Sequence, residues 1–264
     1  MLQLAFYLLV SFLASVAGAI CGIGGGVIIK PVLDVCGLAS VSTISFLSGL
    51  TVLSMSLYSV GRTMASGGSQ IDKKTGTPLA IGAAAGGIAG KQLFSVVKDL
   101  FADPNTVGAV QAACLAVITL GTLLYTIFKS RIAPRRVEGA GLCLCIGLVL
   151  GIMSSFLGIG GGPINLVVLF FFFGMDTKTA AQNSLYIILF SQAASLAVTL
   201  LTRSVPEFEW GALILMVCGG IGGGIVGRLV NKRISVAAVD KLFMGLMGVI
   251  ILISVYNTVR YSVG

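Results

Sequence analysis

The chain has 264 residues, of which 56% are hydrophobic and 10% charged, and its mean hydropathy is +1.05. These values exclude a soluble globular enzyme and indicate a polytopic all-α membrane protein, because an apolar run of about 20 helical residues crosses a bilayer. A formal net charge of +8 would suggest nucleic acid as the partner of a soluble protein. In a membrane protein, however, basic residues mark cytoplasmic loops, and we expect no nucleic-acid partner.

Apolar segments recur in the same order in two halves of the chain. The first half has them at about 4 to 20, 26 to 38, 43 to 61, 78 to 97 and 106 to 128. The second half has them at about 139 to 157, 162 to 174, 179 to 202, 210 to 230 and 239 to 259. We therefore predict one membrane domain with a first repeat at 1–128, a basic cytoplasmic linker at 129–138 and a second repeat at 139–264.

Two pairs of glycine-rich motifs support this internal repeat. The segment Cys21–Gly26 reads CGIGGG in the first half, and Leu157–Gly162 reads LGIGGG in the second. The segment Gly86–Lys91 reads GGIAGK, and at nearly the same offset Gly223–Arg228 reads GGIVGR. In each half the first motif interrupts an over-long apolar stretch and leaves a second piece too short to span a bilayer, which is the pattern of a broken or re-entrant helix.

The charges discriminate between two topologies. If each interrupted stretch crosses once, Lys30 stays within the membrane and the other Lys and Arg residues divide 9 to 7 between the two sides, which is no bias. If each stretch returns to its starting side, as a hairpin or as two short crossings, one side holds 12 and the other 4. The richer side holds Arg62, Lys73, Lys74, Lys129, Arg131, Arg135, Arg136, Lys178, Arg228, Lys232, Arg233 and Lys241. The poorer side holds Lys91, Lys98, Arg203 and Arg260.

The 12 to 4 division satisfies the positive-inside rule. Each half then makes an odd number of crossings, so the second repeat is inserted upside down relative to the first. We predict a multi-pass protein of the cell (inner) membrane with cytoplasmic basic loops and both termini on the non-cytoplasmic side. Inverted repeats with broken helices are typical of secondary transporters.

The glycine motifs are candidate substrate-binding loops, formed by Gly24, Gly25 and Gly26 in the first repeat and Gly160, Gly161 and Gly162 in the second. Each precedes a short helix, whose N-terminal N–H groups and positive dipole end favour an anion. Glycine also lets a ligand approach the backbone closely. Close helix packing is the alternative, and we prefer it for the glycines of the second motif pair and their neighbours.

Several further residues are candidate substrate ligands. Polar side chains near the loops could complete the site by hydrogen bonding, or could simply bond other helices; they are Ser45, Ser48, Asn165, Gln182, Asn183 and Ser184. Lys30 is the one cation well inside an apolar segment, so it could be a counter-charge for the substrate, could extend to the interface, or could pair with Asp34. Cys21 could contact a sulfur-containing ligand or fill core space like the other five cysteines.

No catalytic residue, metal site or cofactor is predicted. The chain has no histidine, and its 6 cysteines form no CxxC pair, so the usual zinc, haem and thiol-redox sites cannot be built. The glycine motifs match neither GxGxxG nor the phosphate-binding loop. No carboxylate lies at the centre of an apolar segment, so coupling to an H⁺ or Na⁺ gradient stays open.

The paired GxGGG motifs, the first followed by Pro31-Val-Leu33, resemble those of the sulfite exporter TauE/SafE family over nearly the whole chain. The second copy departs from this pattern, with Pro163 directly after its glycines. The resemblance implies transport of small sulfur-containing or organic anions, such as sulfite, sulfoacetate or other sulfonates.

We therefore expect a secondary transporter that works by alternating access, with a small anion and the lipid bilayer as partners. An anion channel is the alternative, and an intramembrane enzyme has no GxSxG elbow, histidine or carboxylate pair to support it. The oligomeric state does not follow from the sequence.

Overall fold

The computed structural model of the chain describes residues 2–66, 70–101 and 104–263. Within these residues there are ten α-helices, one short 3-10 helix and no strand. The first half of the chain contains α1 (Leu2–Cys21), α2 (Gly26–Cys36), α3 (Val41–Ala65), α4 (Lys73–Leu100) and α5 (Pro104–Phe128). After the 3-10 helix at Lys129–Arg131, the second contains α6 (Ala140–Leu157), α7 (Pro163–Phe173), α8 (Thr177–Leu201), α9 (Trp210–Arg233) and α10 (Val236–Val263).

Eight of these helices are long and apolar enough to cross a membrane, which confirms a polytopic all-α membrane protein. The exceptions are α2 and α7, with 11 residues each. Such a helix is only about 16 Å long, roughly half the thickness of the hydrocarbon core. The interruption of the two apolar stretches is therefore a real break in each helix.

Several helices extend beyond their predicted apolar segments because polar caps lie outside the apolar run. Ser40 accepts a hydrogen bond from the backbone N–H of Thr43, and Asp176, at the equivalent position of the second repeat, accepts from Lys178 and Thr179. Burial raises the pKa of the Asp176 carboxyl, but hydrogen bonds from the Thr179 hydroxyl and from the backbone N–H groups of Thr179 and Lys178 lower it by more, so its net pKa lies below the ordinary value. The corresponding helices α3 and α8 are thus capped at equivalent positions.

Glycines bring α9 against α1 and α4 against α6. Cβ atoms placed on Gly219 and Gly223 would lie 2.8 and 2.3 Å from the carbonyl oxygens of Leu8 and Phe12. In the other pair, Cβ atoms placed on Gly82 and Gly86 would lie 2.1 Å from the carbonyl oxygens of Leu144 and Leu148. Residue numbers rise together in both pairs, so each pair is parallel. The prediction that these glycines serve close helix packing is confirmed.

The most extensive helix contacts are matched when the two halves are exchanged. The α1–α9 and α6–α4 pairs correspond to each other, as do α3–α9 and α8–α4, and α2–α10 and α7–α5. The α3–α8 and α5–α10 pairs correspond to themselves. The largest interfaces between helices therefore follow one pattern in both halves.

The helix ends gather at two faces. At the basic face, Arg228 donates to the carbonyl oxygen of Arg62 at 3.2 Å, and Lys129 pairs with Asp240 at 2.7 Å. At the opposite face, the hydroxyl of Thr43 donates to the carbonyl oxygen of Glu207 at 2.9 Å.

Each interrupted stretch begins and ends at the same face. Near the start of α1, Leu4 approaches Gly211 at the beginning of α9, and at the end of α2 the guanidinium of Arg260 donates to the carbonyl oxygen of Asp34 at 3.0 Å. Both contacts lie at the opposite face. The end of α7 lies at the basic face, where the N–H of Arg135 in the linker donates to the carbonyl oxygen of Phe171 at 2.7 Å.

Candidate functional site

The two glycine loops meet inside the helical bundle. Gly24 and Gly160 have φ angles of 73° and 67°, in the left-handed region that favours glycine. A Cβ atom placed on Gly24 would lie 3.2 Å from the carbonyl oxygen of Gly160, and one on Gly26 would lie 2.2 Å from that of Ile159. The backbones of the loops thus touch without an intervening side chain.

Helices α3 and α8 enclose this contact with equivalent apolar residues. A Cβ atom on Gly160 would lie 2.7 Å from Val52 of α3, and one on Gly161 would lie 2.3 Å from Ile188 of α8. Val52 and Ile188 are fully buried and occupy corresponding positions of the two repeats. Larger side chains at these glycines would therefore displace the helices on either side.

Both loops lead into a helix N-terminus. The first N–H groups of α2, which begins at Gly26, have no acceptor within their own helix and can bind an anion. Helix α7 begins at Pro163, which has no N–H, so its N-terminus offers fewer donors. The buried side chain of Asn165 lies beside it, with Nδ2 3.4 Å from a Cβ atom placed on Gly161.

The helices that enclose the loops carry buried hydroxyl groups. Ser48 and Ser184 stand at equivalent positions of α3 and α8, both are fully buried, and neither hydroxyl has a hydrogen-bond partner among the described residues. The Ser48 hydroxyl oxygen would lie 2.9 Å from a Cβ atom on Gly26. Such unsatisfied polar groups are costly unless a ligand or water bonds them.

Ser15 of α1 is a third such hydroxyl, which the sequence analysis missed. It is fully buried without a partner among the described residues, and its oxygen would lie 2.8 Å from a Cβ atom on Gly25. The available signal was Ser11 and Ser15, two serines four positions apart in an otherwise apolar helix.

Of the other predicted site residues, Gln182 and Asn183 lie away from the loop contact. The amide oxygen of Gln182 accepts from the N–H of Gln70 at 3.0 Å, and Asn183 donates to the carbonyl oxygen of Gln70 at 3.1 Å. Both side chains therefore join α8 to the segment before α4. Cys21 is fully buried in an apolar cluster, and Ser45 lies close to Gly158, where its oxygen would be 2.6 Å from an added Cβ atom.

Lys30 pairs with Asp34, one turn later on α2. The ammonium nitrogen and carboxylate oxygen are 3.0 Å apart, and the two side chains are 4% and 6% exposed. Of the alternatives left by the sequence, the structure shows this pairing. A counter-charge role for Lys30 stays a prediction.

The loop contact itself is closed in this conformation. The space beside Gly161, Gly162 and Asn165 is about 10 Å³, which is room for about one water molecule. Two larger cavities flank it, one of about 40 Å³ that reaches Gly158 and one of about 220 Å³ that reaches Ala181. A Cβ atom on Gly22 would lie 2.4 Å from the Ala181 side chain, so each cavity ends beside one glycine loop.

Among the described residues, no group of three or more His, Cys, Asp or Glu residues is arranged to hold a metal ion. The hydrogen-bond donors at the loops are backbone N–H groups, hydroxyls and a side-chain amide. This donor set suits hydrogen bonding to an oxyanion.

Comparison with known proteins gives a family match across most of the chain. The family model described as sulfite exporter TauE/SafE matches residues 7–254. A probable membrane transporter protein, YunE, of Bacillus subtilis (strain 168) is 24% identical over 262 residues, covering 87% of this chain and 90% of the relative. No solved structure matches the chain significantly.

Proposed function

Because the chain belongs to the sulfite exporter TauE/SafE family, which makes it a membrane transporter and not an enzyme, we propose that it carries sulfite, sulfoacetate or other sulfonates by alternating access. The anion would bind where the two glycine loops meet. A dependence of the flux on an H⁺ or Na⁺ gradient would identify the coupling ion.

The contact between Gly24 and Gly160 carries the proposal. It places the donor-rich start of α2 and the start of α7 beside buried hydroxyls that lack protein partners among the described residues. A sulfite or sulfonate group has three oxygen acceptors, which suits several convergent N–H and O–H donors. Hydrogen bonds from neutral groups can hold such an anion without a buried cation.

We also propose that the basic face is cytoplasmic and that the two repeats have inverted orientations in the inner membrane. The 12 to 4 division of Lys and Arg supports this orientation. The exchange of contacts between halves, and the return of α2 and α7 to the faces where α1 and α6 begin, support the inverted repeat. Both termini would then lie outside the cytoplasm.

The closed loop contact favours a carrier over an anion channel. No described residue lines both the 40 Å³ and the 220 Å³ cavity, and the glycine loops lie between them. Opening one cavity to the loops while the other stays closed is what alternating access requires.

Sulfite counterflow in proteoliposomes tests the proposal. Vesicles loaded with unlabelled sulfite should accumulate external radiolabelled sulfite in a saturable manner, with inhibition by sulfoacetate and weaker inhibition by sulfate and chloride. Flux that neither saturates nor shows counterflow would identify a channel. Absence of flux for every sulfur anion would overturn the substrate assignment.

A further inference from the structure

We propose that Lys91 and Arg228 are anion-receiving residues of two equivalent vestibules, one at each face of the protein. This inference rests on the proposed anion transport. The opposite-face vestibule is the 40 Å³ cavity lined by Lys91, and the basic-face vestibule is the 220 Å³ cavity lined by Arg228.

The two vestibules are built from matching positions of the two repeats. Ser195 and Thr199 of the opposite-face vestibule correspond to Ser59 and Thr63 of the basic-face vestibule, each at the offset that relates the two glycine loops. Lys91 and Arg228 correspond as the last residues of the second motif pair. The α3 and α8 helices exchange roles between the cavities, so the repeat generates one cavity at each face.

Each cation follows a glycine that fixes its backbone position. Gly90 precedes Lys91, and its added Cβ atom would lie 2.4 Å from the carbonyl oxygen of Ile152 in α6. Gly227 precedes Arg228, and its added Cβ atom would lie 2.5 Å from the carbonyl oxygen of Val16 in α1. These two close contacts place Lys91 and Arg228 at equivalent positions, each one residue after a tight helix crossing.

Neither cation has a carboxylate within 4.0 Å among the described residues, although both side chains are half-buried. Lys91 lies 5.5 Å from the ring centroid of Phe94, and Arg228 donates to Ser66 at 3.1 Å. By contrast, Lys30 and Lys129 each have a carboxylate partner. A partly desolvated cation without an acidic partner attracts anions from solution.

The vestibules differ in how many cations they contain. Lys178 and Lys232 also line the basic-face vestibule, whereas Lys91 is the one cation among the described residues lining the 40 Å³ cavity, and Lys98 lines only the neighbouring cavities. Removing Lys91 should therefore affect its vestibule more than removing Arg228 affects the basic one.

Cysteine labelling tests the charge of each vestibule independently of the transported substrate. In a full-length chain with its native cysteines replaced, Ser195→Cys reports on the opposite-face vestibule and Thr63→Cys on the basic-face vestibule. The probes are membrane-impermeant methanethiosulfonates, one with an anionic sulfonate and one with a trimethylammonium group. The measured quantity is the ratio of their reaction rates, anionic over cationic, with each reagent added from either side.

We expect Lys91→Gln to lower this ratio at least about threefold at Ser195→Cys and to leave Thr63→Cys unchanged. Arg228→Gln should lower the ratio at Thr63→Cys by a smaller factor and leave the ratio at Ser195→Cys unchanged. The matched controls Arg203→Gln and Arg233→Gln, which remove exposed cations that line neither vestibule, should change neither ratio. Unchanged ratios in the Lys91 and Arg228 variants, or labelling of both cysteines from the same side, would overturn the inference.

A second measurement uses the chain with its native cysteines. In oriented vesicles, Lys91→Gln should raise the KM for sulfite added at the opposite face, and Arg228→Gln the KM at the basic face. Equal effects at both faces would contradict separate vestibules. If the unsubstituted chain shows no sulfite flux, the proposed function is wrong. The labelling ratios still test the role of Lys91 and Arg228 in that case.

Discussion

Gly24 lies directly against Gly160, since a Cβ atom placed on Gly24 would be 3.2 Å from the carbonyl oxygen of Gly160. The two residues belong to loops in different halves of the chain, and each loop starts a helix too short to span the membrane. Their contact brings the starts of α2 and α7 together at one point. The transport mechanism proposed for this protein depends on that convergence.

Replacing the buried hydroxyls tests whether they serve the substrate. Ser48→Ala and Ser184→Ala should each raise the KM for sulfite about fivefold, because each loses a hydrogen bond of about 1 kcal/mol to the anion. Thermal stability should stay the same or rise, since an unsatisfied polar group is removed. Uptake kinetics and thermal unfolding of the purified protein measure both effects.

Ser191→Ala is the matched control for these variants. The Ser191 hydroxyl is also buried without a partner among the described residues, but it faces Gly87, with its oxygen 3.3 Å from an added Cβ atom. The KM of this variant should match that of the unsubstituted chain. An equal rise in KM for all three variants would show that the hydroxyls act through packing.

The packing role of the α9 glycines predicts a difference between two adjacent residues. A Cβ atom on Gly223 would lie 2.3 Å from the Phe12 carbonyl oxygen, whereas one on Gly222 would lie 3.6 Å from the Phe12 ring. Gly223→Ala should therefore destabilise the protein by about 1–3 kcal/mol, while Gly222→Ala should be neutral or stabilising. Thermal unfolding in detergent measures this, and equal midpoints would contradict the close α1–α9 packing.

Because Lys30 and Asp34 form a buried ion pair, replacing one of them alone should destabilise the protein more than replacing both. Lys30→Met should destabilise the protein by about 3–5 kcal/mol, because it leaves the Asp34 carboxylate buried and uncompensated. The double variant Lys30→Met with Asp34→Leu should regain most of the loss. Lys129→Met, which breaks the more exposed pair with Asp240, should cost less than about 1 kcal/mol.

Transport by the folded double variant then tests whether Lys30 is a counter-charge for the substrate. Retained sulfite transport would show that the pair is structural. Loss of transport with recovered stability would support the alternative that Lys30 is a counter-charge for the substrate.

Hydropathy and glycine spacing predicted much of this fold because both depend on local sequence. The apolar segments correspond to the ten helices of the described residues, and the break before α2 and α7 follows from consecutive glycines. The helix ends were predicted less well, since Asp72 and Asp176 cap helices at polar residues outside the apolar runs. Capping is visible in the sequence only once the helix start is known.

The composition of the site was predicted only in part, because it depends on the direction of each side chain. Asn183 and Ser184 are adjacent on α8, yet Asn183 bonds to Gln70 whereas the Ser184 hydroxyl has no partner among the described residues. Adjacent helical residues point about 100° apart. Ser15 was missed because its proximity to Gly25 depends on the reversal between α1 and α2.

The central claim is that both glycine loops bind the anion together, and sulfite counterflow by three single variants tests it most directly. In Gly24→Ala and Gly160→Ala, the methyl group enters the loop contact at a positive φ that costs alanine about 1–2 kcal/mol. In the control Gly245→Ala on α10, an added Cβ atom meets nothing within 4 Å. We predict that counterflow falls at least tenfold in both loop variants, with folded protein recovered, and is retained in the control. Normal counterflow in either loop variant would contradict a site shared by the two loops.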